Sequence, residues 1–410
     1  MPNVIRVIIS TLGPLHLIKS AEYLSHLVDV TVVQGMLPSW WNRWMINLAS
    51  RFQRRDISKT IKKRTPDRLQ GHNVGLSLPD IYYWACRFFK IGTPASVSMK
   101  SANLFGRLQR KYLKDADIYH VRSGSGAAGA IAYAKAHGMK VVVDHSIAHP
   151  AFMEQNLRAE YEKNGATFTL GLDSTFWREI IDECDQADAL LVNSYFVRDT
   201  FIGQGYDPQK IKVAYLGVRP DFLSLKSDYS LPTDGCLRIL FTGGFGFRKG
   251  AEYVLSALRE LDRLNVNYEM IVVGDSSGAK SLVERISPRH LKLINTVPQD
   301  ELKGFLANSD VYLFPSLCEG CASSGMEALA AGLPVIATKE SGLPIDDDVN
   351  GIIVKSRNVS QIVEALLRVK KSQDLRARLG RSASNLIRNN FSWEFYAQNV
   401  VSIYQELLTH

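Results

Sequence analysis

Two glutamates, one in a loop and one in the helix that follows it, are the residues that most clearly suggest chemistry. Glu319 comes just after a short apolar strand, and Glu327 lies about one turn inside a helix predicted to begin near Ser323. The unpaired N–H groups and the positive dipole end of a helix N-terminus attract an anion. The small residues that would let an anion approach this backbone are Gly320, Ala322, Ser323, Ser324 and Gly325. A diphosphate fits such a site, and the two carboxylates would accept hydrogen bonds from sugar or ribose hydroxyls.

A glycine-rich turn that carries two cations is the second feature of this kind. The segment 239–250 reads as a strand, a turn with Arg248 and Lys249, and a helix from about Ala251. A lysine is a compact cation suited to a phosphate oxygen, and an arginine offers a planar fork to the same charge. Together the two side chains could neutralise a departing diphosphate.

Each feature alone has an ordinary structural explanation. Glycine-rich turns before helices are common folding elements, and two glutamates eight residues apart occur by chance. Their joint order, with Pro334 after the second helix, favours a ligand site.

The elements that must position these residues alternate between short β-branched runs and helix-length amphipathic stretches. This pattern is typical of parallel sheets with helices on both faces. Predicted strands in the first half are 6–10, 28–34, 117–122, 140–145, 189–193 and 212–215. Those in the second half are 237–242, 269–274, 291–296, 311–315, 334–338 and 351–354. The Pro- and Gly-containing segment 217–235 predicts a linker, so we expect two sheets with a boundary near residue 220.

The composition bounds the class of protein. A chain of 410 residues with 46% hydrophobic residues can bury a full core, most simply in two domains. Its five scattered cysteines predict neither a disulfide framework nor a zinc site, which suits a reducing compartment. We find no leader-like N-terminus and no apolar run of the roughly 18 residues that span a bilayer, so we expect a cytoplasmic protein.

The positive charge is concentrated near the N-terminus. Residues 1–114 hold 18 Lys and Arg against 5 Asp and Glu, whereas residues 115–218 hold 9 against 14. Residues 219–410 are balanced at 22 against 22. A basic segment of this kind suggests an anionic surface or substrate as partner.

The two phosphate-binding segments resemble glycosyltransferase family 4, the retaining enzymes with the GT-B fold. The resemblance implies an α/β protein with two Rossmann-like parallel-sheet domains that face a cleft. We expect an acceptor-binding domain at 1–218, a nucleotide-sugar domain at 219–392, and a last helix at 393–410 that packs back on the first domain. Segments that carry the resemblance are 189–198, 212–218, 242–250, 272–274, 297–302, 315–327 and 391–394.

Residue roles follow from the resemblance by position. Glu327 would hold the donor ribose, Glu319 the hydroxyls of the transferred sugar, and Arg248 with Lys249 the diphosphate. Gly244 stands where many relatives have a further arginine, so these two cations would bear the charge alone. The remaining residues expected to line the donor site are Gly13, Gly274, Val297, Gly320, Cys321, Ala322 and Ser323.

The acceptor side has fewer signals. Gly13 follows the first strand where the family has a glycine-rich turn, although Pro14 and not a second glycine comes next. His120, with Arg122 and Ser123, and His145 end two predicted strands, where the ligand crevice of a parallel sheet lies. We favour His145 as the catalytic histidine near the acceptor, and structural roles for both histidines stay open.

Other polar and reactive residues have ordinary structural interpretations. The acidic run 346–348 lies in a loop and predicts solvated surface, so we expect no metal. Cys318 and Cys321 flank Glu319 and are expected to pack without reacting. Competing functions are a nucleotide-sugar epimerase or hydrolase of the same fold, and a non-catalytic nucleotide-sugar-binding subunit. The intact set of Glu319, Glu327 and Lys249 argues against the latter.

The expected partners are a nucleotide-diphosphate sugar and a glycan or lipid-linked acceptor. A UDP-sugar is favoured, a GDP-sugar stays open, and we expect no cofactor and no nucleic acid. The oligomeric state is not determined by the sequence.

The segment 38–68 suggests contact with an anionic membrane surface. We expect Ser39 to cap a helix whose apolar face would interact with the inner leaflet. Residues of the predicted apolar face are Trp41, Trp44, Met45, Leu48 and Phe52, and the cations around it are Arg43, Arg51, Arg54, Arg55, Lys59, Lys62, Lys63, Arg64 and Arg68. The alternative is that this stripe packs on the first domain or lines its acceptor cleft.

Overall fold

The computed structural model describes residues 4–13, 16–40, 42–53, 61–62 and 64–409 and contains two parallel sheets. The first sheet is formed by β1 (Arg6–Thr11), β2 (Asp29–Gln34), β3 (Gly71–Gly75), β4 (Ile118–Arg122), β5 (Lys140–His145), β6 (Ala189–Val192) and β7 (Ile211–Val213). The second is formed by β8 (Leu237–Thr242), β9 (Tyr268–Val273), β10 (Leu291–Ile294), β11 (Val311–Phe314), β12 (Val335–Ala337) and β13 (Ile352–Ile353).

The strand orders are those of doubly wound sheets, in which the chain starts near the middle and moves outward in both directions. The first sheet runs β3-β2-β1-β4-β5-β6-β7, and the second runs β10-β9-β8-β11-β12-β13. All strand pairs are parallel. The carboxyl ends of β1, β4 and β5 therefore share one edge of the first sheet, and those of β8, β9 and β11 share one edge of the second.

Helices connect the strands and cover both faces. In the first half they are α1 (His16–Leu24), α2 (Arg43–Gln53), α3 (Ser77–Phe88), α4 (Pro94–Gln109), α5 (Ala130–Ala136), α6 (Pro150–Lys163), α7 (Thr175–Asp185) and α8 (Tyr195–Ile202). In the second half they are α9 (Ala251–Arg263), α10 (Lys280–Ile286), α11 (Gln299–Asn308), α12 (Ser323–Ala331), α13 (Val359–Lys371), α14 (Gln373–Asn390) and α15 (Trp393–Thr409). No helix in these described ranges is both long and apolar enough to cross a membrane.

The edge strand β3 is absent from the predicted set. Its sequence, Gly-His-Asn-Val-Gly, has no apolar run, and it pairs only with β2, from Val30 opposite Gly71 to Gln34 opposite Gly75. An edge strand is buried on fewer sides than a central one, so its sequence is not held to a run of apolar residues. By contrast, β5 has the bounds that the sequence predicts, and its central valines are fully buried.

The last helix, α15, lies against the first half of the molecule. Its residues Trp393, Tyr396 and Val400 share a buried cluster with Leu17 and Ile18 of α1. The chain crosses between the halves at Gly217, where a Cβ would lie only 2.5 Å from the backbone nitrogen of Trp393. The two crossings therefore pack directly on each other.

Helix α2 begins later than the sequence predicted. Ser39 is not its cap: the Ser39 N–H donates to Asn42 Oδ1 at 2.9 Å, and the Ile46 N–H bonds to the Asn42 carbonyl at 3.0 Å. Asn42 thus directly precedes the helix, where its carbonyl accepts a helical N–H and its side chain accepts from the backbone before the helix. Predicted residues outside the described part of the chain are Pro14, Trp41, Arg54, Arg55, Lys59 and Lys63, together with the side chains of Arg43, Met45 and Phe52.

Helix α6 of the first half is tied to the second half by a buried carboxylate. Glu160 Oε1 accepts from Arg357 Nε at 2.7 Å and from the Tyr253 hydroxyl at 2.6 Å. Next to it, the Tyr161 ring packs edge-on against Phe247, with centroids 5.3 Å apart. We call these contacts of Glu160 and Tyr161 with Arg357, Tyr253 and Phe247 the α6 latch. They place α6 beside the turn that carries Arg248 and Lys249.

We expect Glu160→Gln to weaken the closed arrangement of the two halves. The substitution leaves the Arg357 guanidinium without its buried counter-charge, which costs about 1–3 kcal/mol. Denaturant unfolding should report this loss, and small-angle X-ray scattering should show a larger radius of gyration. Glu162→Gln on the same helix is the control, because that side chain is 62% exposed. Equal behaviour of the two variants would contradict a role for the latch in closure.

Candidate active site

The turn after β8 is hydrogen-bonded to the loop after β11. The Leu317 N–H donates to the Arg248 carbonyl at 2.9 Å, and Arg248 NH1 donates to the Cys318 carbonyl at 2.8 Å. Gly250 closes the turn with a φ of +75°, and a Cβ there would lie 2.0 Å from the Pro315 carbonyl oxygen. Only glycine allows this approach without a clash. The two segments singled out in the sequence therefore form one structure.

Glu319 lies between the two cations of this turn. Its carboxylate is 2.6 Å from Arg248 NH1 and 3.2 Å from Lys249 Nζ. Burial alone would lower the pKa of the Arg248 guanidinium. The adjacent Glu319 carboxylate has the larger effect, so this pKa lies above its usual value. Sequence reasoning placed Glu319 on sugar hydroxyls and did not anticipate that it would also neutralise the cations.

Helix α12 begins at this site without a side-chain cap. Ala322 occupies its N-cap position with no side-chain hydrogen bond, and the Ala322 N–H itself is 3.3 Å from the Ser341 carbonyl. Because the first N–H groups of a helix have no partner within the helix, they can bind an anion here. Gly325 packs on Leu343, where a Cβ would lie 2.6 Å away.

Glu327, one turn into α12, faces a cavity between the two halves. Burial raises the pKa of Glu327 to about 7, whereas the nearby Arg219 opposes that shift. The cavity has a volume of about 240 Å³ and includes His16 from the first half and Cys321 from the second. The other residues that line it are Lys19, Leu216, Gly217, Val218, Arg219, Ser323, Met326 and Trp393.

Other predicted donor-side residues lie around the same sheet edge. Gly274 has a φ of +141°, and a Cβ there would lie 2.2 Å from the Gly243 carbonyl oxygen. Gly244 is exposed, and Val297 is half-buried against the second core. Gly13, on the first sheet, has open space around it, and its carbonyl accepts from the Thr11 hydroxyl at 2.8 Å.

The two cysteines beside Glu319 have protonated thiols at neutral pH. Burial raises the pKa of Cys318 to about 12 and that of Cys321 further. A thiolate is needed for nucleophilic reactivity, so both side chains serve packing.

The histidines predicted for the acceptor side lie beneath the surface. His120 is fully buried, with its Nδ1 2.6 Å from the Tyr404 hydroxyl of α15. It therefore does not reach the cleft, because the last helix covers it. His145 is 1% exposed, and burial lowers its pKa to about 3. Its Nδ1 lies 3.0 Å from the Ser123 hydroxyl, and its ring packs edge-on against Phe201.

A histidine that sequence reasoning missed lies at the cavity instead. His16, the first residue of α1, has its Nε2 3.0 Å from both carboxylate oxygens of Asp144. Arg122 NH1 is 3.1 Å from the same carboxylate. The only local signal for His16 was its place at the start of α1, soon after β1, since its partner lies 128 residues away in the chain.

No group of three or more His, Cys, Asp or Glu side chains within the described ranges is arranged to hold a metal ion. In the acidic run, Asp348 pairs with Arg368 at 2.8 Å, and Asp347 accepts from the Ile353 N–H at 2.8 Å.

Two family models match the chain. The model described as Glycosyltransferase Family 4 matches residues 41–222, and the one described as Glycosyl transferases group 1 matches residues 230–386. The amylovoran biosynthesis glycosyltransferase AmsK of Erwinia amylovora is 30% identical over 200 residues, which is 46% of this chain and 49% of that protein. A D-inositol 3-phosphate glycosyltransferase of Corynebacterium jeikeium is 30% identical over 247 residues, covering 54% and 58% of the two chains. The chain spans about half the length of the curated relatives it matches.

Solved structures share the whole architecture. Sucrose-phosphate synthase from Thermosynechococcus elongatus aligns with a TM-score of 0.67 at 14% identity, over 99% of both chains. Anabaena HepE in complex with UDP aligns with a TM-score of 0.62 at 14% identity, over 98% of this chain and 100% of that one. At such identities the likeness shows the fold alone. The two parallel sheets and these neighbours show the GT-B fold, and the two family models together show that the chain is a member of the glycosyltransferases, with a Family 4 domain at 41–222 followed by a group 1 domain at 230–386.

Proposed function

We propose that this protein is a retaining glycosyltransferase that moves a sugar from a nucleoside-diphosphate sugar to a hydroxyl acceptor in cell-surface glycan or glycolipid synthesis. The observation that carries the proposal is the cavity between the halves, which has Glu327 and the uncapped start of α12 on its wall. The turn with Arg248 and Lys249 is bonded to the loop that leads into this helix.

A UDP-sugar is the donor that we favour. Structures of Anabaena HepE contain UDP and UDP-glucose, and they share the fold of this chain. Glu327 would accept hydrogen bonds from the ribose hydroxyls, because a carboxylate offers acceptors only. A GDP-sugar is the alternative that the same residues would accommodate.

Charge stabilisation supplies most of the proposed catalysis. The incoming diphosphate would compete with Glu319 for Arg248 and Lys249, which would free the Glu319 carboxylate for hydroxyls of the transferred sugar. When the bond between sugar C1 and the phosphate oxygen breaks, its electron pair stays on the diphosphate. The two cations and the N–H groups of α12 would stabilise that charge in a partly dry site. The acceptor hydroxyl would attack C1 from the same face, and no protein nucleophile is assigned.

A donor screen followed by product analysis tests this proposal. Thermal shift with UDP-, GDP- and ADP-sugars identifies the donor, because a ligand that binds only the native state raises its stability. NMR of the product should show the same anomeric configuration as the donor. Inversion would contradict the retaining assignment, and free sugar or an epimer as the sole product would indicate a hydrolase or an epimerase.

We expect Lys249→Ala and Glu327→Ala to abolish transfer in proteins that remain folded. Lys249 would lose its contact with the diphosphate, and Glu327 its contact with the ribose. Lys292→Ala is the matched control, because that lysine is on the surface with its side chain 64% exposed. Initial rates with the donor found in the screen provide the measurement, and near-normal turnover in either site variant would contradict the assignment.

The raised pKa of Glu327 predicts how the free energy of unfolding depends on pH. The pKa of Glu327 is raised from 4.5 to about 7, so the folded protein binds more protons than the unfolded chain between these values. Its free energy of unfolding therefore falls as the pH rises through that window. Glu327→Gln removes the buried charge and should be more stable than wild type at about pH 8, by on the order of 2 kcal/mol. The difference should shrink as the pH falls towards 4.5.

We propose that the enzyme needs no divalent cation. Arg248, Lys249 and the start of α12 together would meet the diphosphate charge. We expect added EDTA to leave the initial rate of transfer largely unchanged. Complete inhibition that added metal reverses would contradict this prediction.

We also propose that the segment 38–68 brings the enzyme to the inner face of a membrane. On the described part of this segment, Trp40 is 89% exposed and Trp44 is 64% exposed. Ile46 points inward instead, against Met36 and Ile61. Exposed tryptophans beside basic side chains suit a lipid interface, where each cation contributes about 1 kcal/mol on an anionic leaflet.

One of the predicted cations is not available to lipid. Arg64 is 5% exposed, and its NH1 is 2.7 Å from Asp80 Oδ2 and 2.9 Å from the Met36 carbonyl. The pair anchors the segment at the end of β2. Arg51, Lys62 and Arg68 are exposed and can face a membrane.

We expect the protein to sediment with anionic liposomes at low salt and to be released at high salt. Trp44→Ala should weaken this binding, because the ring would no longer enter the interface. Leu264→Ala is the control, since that residue is 56% exposed on the second half. Equal and negligible sedimentation with anionic and neutral liposomes would discard the membrane role and leave an acceptor-cleft role for this segment.

A further inference from the structure

A short turn between α3 and α4 carries two large apolar side chains into solvent. Phe89 is 67% exposed and Ile91 is 58% exposed, with the exposed Lys90 between them. The Phe89 ring packs edge-on against Phe88, with centroids 4.8 Å apart. Single exposed apolar residues are ordinary on a protein surface, whereas neighbouring ones mark a contact site. We call residues 89–93 the α3–α4 tip.

Hydrogen bonds on both sides give this tip a defined shape. On the α3 side, the Ile91 N–H donates to the Cys86 carbonyl at 2.8 Å. On the α4 side, Thr93 and Ser96 form a capping box, in which the Ser96 N–H donates to Thr93 Oγ1 at 3.2 Å and the Thr93 N–H donates to Ser96 Oγ at 3.1 Å. Such a box satisfies N–H groups that a helix start leaves open. The tip therefore holds its apolar side chains outward.

The charge around the tip has one sign. Residues 81–114 contain seven Lys and Arg and no Asp or Glu. These cations are Arg87, Lys90, Lys100, Arg107, Arg110, Lys111 and Lys114. Arg87 and Lys90 are exposed at the tip, and Lys100 is exposed about two turns into α4. An anionic lipid surface is complementary to this charge.

The helix that leads to the tip also packs against α2. Ile46 of α2 belongs to a buried cluster with Met36 and Ile61, and Ile81 and Trp84 of α3 pack against that cluster. The exposed Trp44 of α2 and the α3–α4 tip therefore lie on adjacent helices of the first half. They are separate in the chain, so each can be altered without the other.

We propose that the α3–α4 tip inserts Phe89 and Ile91 into an anionic membrane, while Arg87 and Lys90 stay at the level of the lipid phosphates. Apolar side chains gain free energy by leaving water, and long basic side chains extend back to the polar interface. This contact is additional to the one proposed for segment 38–68 and does not depend on it. Two separate attachment points would fix the orientation of the first half on the membrane, whereas one would leave it free to rotate.

A membrane fits this tip better than a protein partner does. A stable protein interface buries about 800 Å² on each side, and two apolar side chains at a turn offer far less. A lipid surface needs no shape-matched area, because acyl chains adapt to the inserted side chains. Basic residues beside exposed apolar ones are the combination that such surfaces bind.

Fluorescence quenching by brominated lipid tests the insertion. The vesicles contain phosphatidylglycerol and phosphatidylcholine, with bromine on the acyl chains. Phe89→Trp adds an indole to the tip, and we expect these vesicles to quench the fluorescence that this variant has in excess of wild type. Leu264→Trp is the matched control, because Leu264 also directly follows a helix and is 56% exposed, but lies on the second half. Its added fluorescence should not be quenched.

Vesicle partitioning gives an independent measurement. We expect the double variant Phe89→Ala and Ile91→Ala to bind anionic vesicles about 10- to 100-fold more weakly, and its remaining binding to disappear at high salt. Lys90→Gln should weaken binding about fivefold at low salt, because one cation is lost. Both variants should melt at the wild-type temperature, since the altered side chains are exposed.

The proposal is overturned if Phe89→Trp shows no quenching beyond wild type, or if the double variant partitions as wild type does. It is also overturned if the wild type is a dimer and the double variant a monomer without any quenching, because the tip would then bind a second copy of the chain. Weaker binding of Trp44→Ala with quenching retained at Phe89→Trp supports two separate contacts. None of these measurements involves sugar transfer, so failure here leaves the proposed donor and reaction unaffected.

Discussion

The close contact at Gly320 is the constraint on which the rest of the site depends. A Cβ there would lie 2.0 Å from the Ser146 carbonyl oxygen, so only glycine lets the two halves meet. The Ser194 hydroxyl donates to the Gly320 carbonyl at 2.6 Å, and Gly342 packs on the same oxygen. Because Gly320 follows Glu319 directly, the position of that carboxylate is coupled to the position of the first half.

On both sides of the cleft, charges of opposite sign lie beside each other. Glu319 balances Arg248 and Lys249 in the second half, and Asp144 balances Arg122 beside His16 in the first. Partly buried charges of like sign would repel strongly at low dielectric without such counter-ions. The site therefore holds nearly neutral clusters and not a bare positive surface, so an anion that bound there would have to displace a carboxylate from its cations.

Local sequence determined much of the fold and part of the site. The valine run of β5 and the glycine turn at Gly250 are dictated by neighbours in the chain, and their roles could be predicted. The partner of His16 lies 128 residues away, and the Tyr404 that covers His120 lies 284 residues away. Spacing along the chain carries no information about such pairs, so the burial of His120 and the position of His16 at the cavity could not be inferred. Edge strand β3 was missed for a different reason, since its pairing relies on backbone hydrogen bonds with β2 and not on apolar side chains.

The path of the last helix has a consequence for how the chain is made. The first half is synthesised first, yet its cluster around Leu17 and Ile9 is completed only by Trp393, Tyr396 and Val400 of α15. During synthesis that apolar surface stays uncovered until α15 has left the ribosome, so the half translated first completes its core only after the second half has been made. A chimera that exchanges the second half with that of a relative must therefore keep the native α15, because this helix belongs structurally to the first half.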